Sequence, residues 1–71
     1  MKDQARRIQA FGKLIKKLRK ERGLSQEILA EECGVDRSTI RRIEAGSFIP
    51  KLTTVWALAD GLKVDIKELF D

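Results

Sequence analysis

The chain has 71 residues, 42% of them hydrophobic, with three phenylalanines, one tryptophan, one proline, five glycines and a net charge of +4. That composition fits one small globular helical domain, and it excludes a disordered or all-β chain and an apolar span of 18 residues. With no histidine and one cysteine, the chain cannot build an internal disulfide, a histidine-based zinc site or a histidine-based catalytic dyad, so no metal, no cofactor and no enzymatic chemistry are expected.

Nothing resembles a signal peptide, and a cytoplasmic protein is the expectation. A core this small is thin, which favours a homodimer. The charge is unevenly spread: residues 1–23 carry nine Lys/Arg against two acids, residues 24–35 carry three acids and no cation, and residues 36–51 are net positive by two. Such clustering suits either an anionic polymer or a plain solvated helix surface.

In chain order, Ile8, Phe11, Leu14, Ile15 and Leu18 recur at spacings of three and four and predict an amphipathic helix over about 4–22, stopped by Gly23. Ser25 offers an N-cap to a second helix over about 26–33, with Leu29, Ala30 and Cys33 inward and Gly34 as its stop. Asp36 is the expected N-cap of a third helix over about 37–45, whose buried stripe is Ile40 and Ile43 and whose stop is Gly46. Pro50 forbids a helix through SFIPK. Leu52, Val55, Leu58, Ala59 and Leu62 restore the helical period, and Asp65 three residues before Glu68 predicts a capped fifth helix ending near Phe70. The count is five helices and no strand.

Two short helices joined by a glycine-containing turn are a helix-turn-helix, whose second helix enters a major groove about 12 Å wide. The series LRKERGLSQEILAEECGVDRSTIRRIEAG, followed by PKL and VDIKELF, resembles the Cro/C1-type (XRE-like) helix-turn-helix regulators over roughly residues 11–70. The narrower series FG, GLSQE, DRS and ELF is similar to controller proteins of restriction-modification systems.

The resemblance implies an all-α, compact five-helix phage-repressor-like domain over 11–71, with the helix-turn-helix core at about 25–46. Residues 1–10 lie outside it and either lengthen the first helix or fray. It implies a double-stranded DNA partner, with Arg37, Ser38 and Arg42 reading bases and Gln26, Thr39, Arg41, Ser47 and Lys51 touching phosphates. It also pairs Arg19 with Glu44. Lys13, Lys16, Lys17 and Lys20 would add general attraction. Function is then expected to be transcriptional regulation by a homodimer on a palindromic operator. The alternative is an antitoxin or adaptor that uses the same scaffold to bind protein.

Four residues depart from the family pattern or stay unassigned. Trp56 and Ile28 are left to cover the extra N-terminal turn of helix 1 or to form a dimer contact, with partial core burial expected for Trp56 and compatible with an interface role, and Cys33 is expected to be buried and inert. Glycine sits at Gly61 where relatives have it at the position of Lys63. Either Lys63 takes a left-handed backbone or the helix ends two residues early.

Overall fold

The computed structural model describes residues 3–70. Four α-helices follow in order, α1 (Gln4–Glu21), α2 (Gln26–Cys33), α3 (Arg37–Ala45) and α4 (Leu52–Leu62), and a 3-10 turn, Ile66–Leu69, closes the chain. The expected fifth helix is therefore this 3-10 turn. It does carry the capping box: Lys67 N–H donates to Asp65 Oδ1 at 3.0 Å, and Asp65 N–H donates to Glu68 Oε2 at 3.1 Å.

The first four helices end in the same way. A residue in the left-handed region follows each of α2, α3 and α4, and the next N–H donates back five residues: Val35 to Ala30 O at 3.0 Å, Ser47 to Arg42 O at 3.1 Å and Val64 to Ala59 O at 3.0 Å. After α1, Leu24 N–H likewise reaches Arg19 O at 3.1 Å past Gly23, whose φ is +67°. These are Schellman closures, and an apolar residue just past the left-handed one normally packs back on the helix. Leu24, Val35 and Val64 do so, each half-buried against the core. Ser47, at the end of α3, is the polar and exposed exception.

Lys63 supplies the left-handed residue after α4, with φ +59°. The helix does not end early at Gly61, because Gly61 serves another purpose. A Cβ there would stand 2.5 Å from Cys33 Sγ, so the glycine lets the end of α2 lie directly on α4. Close approach thus fixes glycine at 61, and the strain falls on Lys63.

The core is formed by Ile15, Leu29, Ile40, Ile43, Leu58 and Leu62, all fully buried, with Leu69 closing one side. Each such side chain contributes roughly 1.5–3 kcal/mol through burial. Gly12 brings α1 onto the C-terminal end of α3, since a methyl group there would collide with the carbonyl oxygen of Ile43. Gln9 lies over Gly46, where an added Cβ would stand 2.9 Å from its Cγ.

Three sequence expectations are corrected here. Asp36 has the extended backbone of an N-cap but makes no capping hydrogen bond, unlike Ser25, whose hydroxyl accepts from Ile28 N–H at 3.0 Å. Leu52 continues the helical period but points outward, because it occupies the first turn of α4, before that helix reaches the core. Trp56 stands outside the core as a largely exposed side chain, one turn beyond Leu52 on the same face. Cys33 is half-buried, and desolvation, followed by the charges of Glu32 and Asp60, pushes its thiol up to about 11.

Candidate nucleic-acid interface

α3 is amphipathic because its apolar residues fall one turn apart. Ile40 and Ile43 are buried, and the opposite surface carries Arg37, Arg41 and Arg42, all exposed, with Ser38 half-buried beside them. Residues four apart on a helix are neighbours. The outer side chains therefore form two rows, Arg37 with Arg41 and Ser38 with Arg42.

The first row faces α2. Arg37 and Arg41 line a surface cleft together with Ser25, Gln26 and Glu27 at the start of α2, and with Arg19 from α1. Three guanidinium groups and a helix N-terminus thus meet around one opening. The first N–H groups of a helix lack partners within it and carry partial positive charge, so such an opening suits an anion. Glu27 is the one acid on its wall.

Beneath the cleft is a network that holds three helices in register. Arg19 Nε donates to Glu44 Oε2 at 2.7 Å, Arg19 Nη2 donates to Glu44 Oε1 at 3.1 Å, and Arg19 Nη1 donates to the carbonyl of Leu24 at 2.8 Å. Gln26 Nε2 donates to the same Glu44 Oε1 at 3.1 Å. The side chains of Arg19 and Glu44 are 10% and 3% exposed, so both charges depend on one another for solvation. Among the described residues no buried side-chain nitrogen or oxygen lacks a partner.

The sequence-derived residues therefore divide in three. Arg37, Arg41 and Gln26 share the cleft, with Arg19 and Glu44 under Gln26. Ser38 and Arg42 occupy the second row. Thr39 is half-buried on the far flank of α3, Ser47 hydrogen-bonds the Arg42 carbonyl at 3.4 Å, and Lys51 is exposed at the N-cap of α4. Arg37, expected to read bases, and Arg41, expected to touch phosphate, stand one turn apart in one row. Sequence reasoning missed the bond from Gln26 to Glu44, for which the spacing of the two residues carries no signal.

A family model described as "Helix-turn-helix" matches residues 15–69. The chain belongs to this family. Within it, the chain is 43% identical over 58 residues to an HTH-type transcriptional regulator of Methanothermobacter thermautotrophicus, covering 80% of this chain and 84% of the relative. It is 39% identical over 61 residues to the control protein C.MunI of a Mycoplasma species, covering 84% and 82%. Against some longer regulators of the helix-turn-helix family it spans only 28% to 40% of the relative's length. The fold matches the crystal structure of the restriction-modification controller protein C.AhdI from Aeromonas hydrophila with a TM-score of 0.87 at 38% identity, over 89% of this chain and 96% of that one.

Both α2 and α3 lie within the residues that the helix-turn-helix family model matches. No helix among the described residues is long and apolar enough to cross a membrane, and no cluster of His, Cys, Asp or Glu there is arranged to hold a metal ion.

Proposed function

We propose that the chain binds a palindromic duplex operator as a homodimer, each copy laying Arg37–Ala45 in a major groove. That it is a DNA-binding transcriptional regulator follows from its family and from relatives named as regulators, repressors and controller proteins. The observation that carries the finer reading is the surface of α3. Its two isoleucines are spent on the core, and its three arginines and Ser38 are left at or near solvent beside an anion-suited cleft.

In this mode Arg37, Ser38 and Arg42 meet base edges, and a guanidinium that bonds both guanine O6 and N7 contributes about 1–3 kcal/mol of discrimination. Gln26, held by Glu44, and Arg41 meet the phosphates that pass the mouth of the cleft. Thr39, Ser47 and Lys51 extend the phosphate contacts along the strand beyond α3. The action is occupancy in the cytoplasm, with no chemical step. A bound copy excludes other proteins from its site or places a neighbour beside it.

Selection of bound sequences from a random duplex pool tests this reading. A two-fold symmetric consensus with half-site centres about 34 Å apart is expected. Recovery of unsymmetric or sequence-random duplex, or no retention of duplex at low salt, overturns it.

A further inference from the structure

The face that α1 turns away from the core is almost wholly cationic. At about 100° per residue, Arg6, Gln9, Lys13, Lys16, Lys17 and Lys20 fall within about 100° of one another, and no other residue of Gln4–Glu21 shares that sector. Five cations and one neutral amide therefore fill it, without an acid, and all are exposed. Phe11, Leu14, Ile15 and Leu18 occupy the opposite side, against the core.

Gly12 and Arg19, the residues turned toward α3, stand about a quarter turn from the centre of this stripe. The stripe thus looks out past α3 and is separate from the surface that carries Arg37, Ser38 and Arg42. A helix face that serves only solubility mixes both signs, and acids set three or four residues from lysines pair with them. None of the five cations is so paired, because the one ion pair among the described residues is Arg19 with Glu44.

We propose that this stripe is a second, sequence-independent site for duplex DNA, by which a copy seated on one duplex through α3 holds another; the proposal goes beyond the operator reading above. The chemistry of the stripe selects its partner. It has no aromatic side chain on which an unpaired base could stack, as a single strand requires. It has no apolar side chain to enter a bilayer, as an interfacial helix requires. Charge laid out along a line is what it offers, and the scale fits a duplex. From Arg6 to Lys20 the helix rises about 21 Å, and a duplex strand presents a phosphate about every 3.4 Å of its axis, so about six phosphates pass beside five cations. Contacts of this kind read no bases, so any neighbouring segment of DNA serves.

The experiment compares wild type with a stripe variant, Lys13→Gln with Lys16→Gln and Lys17→Gln, and an α3 variant, Arg37→Ala with Arg41→Ala and Arg42→Ala. Glutamine matches lysine in helix propensity, and circular dichroism checks each fold. Duplex recovered by the selection above is immobilised, saturated with protein, and exposed to labelled random-sequence duplex, labelled single strand or anionic phospholipid vesicles at stepped salt. Binding of free random-sequence duplex is titrated alongside.

Wild type is expected to capture the labelled duplex at low salt and release it as salt rises. The stripe variant is expected to bind the immobilised duplex within about threefold of wild type and to capture the labelled one at least about tenfold more weakly. The α3 variant is expected to keep its binding to free random-sequence duplex, and adding the stripe substitutions to it is expected to abolish that binding. No capture by wild type overturns the proposal. A stripe variant that loses the immobilised duplex as much as the labelled one also overturns it, because the stripe then lies on the first duplex. Stronger capture of single strand or of vesicles than of duplex overturns the choice of partner.

Discussion

The amide of Gln26 and the carboxylate of Glu44, 18 residues apart, meet at 3.1 Å on an oxygen that Arg19 also reaches. One carboxylate therefore joins α1, the first turn of α2 and the last turn of α3. Glu44→Ala leaves the buried Arg19 guanidinium without its counter-charge and is expected to lower stability by about 3 kcal/mol. Loss of both residues, in Arg19→Met with Glu44→Ala, is expected to cost less than Glu44→Ala alone. Denaturant unfolding of Glu44→Ala, Arg19→Met and the double variant decides it, and additive losses refute the coupling.

Arg37→Ala and Gln26→Ala are expected to fail differently on DNA. The first removes a base-edge donor and changes which bases are preferred at one position of the half-site. The second leaves the preferences intact and weakens all sites alike, with the slope of log affinity against log salt unchanged, because a neutral amide displaces no counterion. Competition binding against a panel of single-base operator variants at two salt concentrations separates the two outcomes.

Gly12→Ala places a methyl group against the Ile43 carbonyl, backbone that cannot swing aside. The expected loss is about 3 kcal/mol, the upper range for overpacking. At about 4–8 °C per kcal/mol for a domain of this size, the melting temperature should fall by more than ten degrees. A melting point near wild type would show that α1 does not press on α3 as described.

Lys63→Gly removes the strain of a left-handed lysine and is expected to raise stability by about 1 kcal/mol. Gly61→Ala is expected to do the reverse, because its Cβ meets Cys33 Sγ. The two substitutions lie two residues apart on one helix end, so opposite shifts in melting temperature isolate the local cause.

Cys33 offers a pH-dependent readout. Its thiol stands at about 11 against an ordinary 9.0, so alkylation in the folded state should be slow at neutral pH and keep accelerating up to about pH 11. Between pH 9 and 11 the folded protein retains a proton that the unfolded chain has lost, so this group's contribution to stability falls as pH rises through that window. Rates of iodoacetamide labelling over pH 7 to 11 check the first point. A plateau near pH 9 would contradict it.

The first three helices were legible because their stops are glycines and their stripes are largely aliphatic. Gly23, Gly34 and Gly46 each take a positive φ where the pattern of Ile and Leu breaks off. Ser25 and Asp36 were both readable as N-cap positions by residue type, which does not reveal whether the side chain turns onto the helix; that of Ser25 does and that of Asp36 does not. Trp56 was misplaced toward the core because large aromatic residues usually belong there, whereas at this point α4 turns a whole face outward. Glu44 and Arg19 came together through family resemblance. The bond from Gln26 was hidden, because it depends on how two helix ends lie in space and not on any repeat along the chain.

The contact at Gly12 pins α3 from behind by backbone, and the shared carboxylate fastens its last turn. Neither fastening uses Arg37, Arg41 or Arg42, whose side chains stand free. On the operator reading proposed above, replacing these three is expected to alter the target and to leave both fastenings in place, so diverging copies could acquire separate targets without refolding anything else.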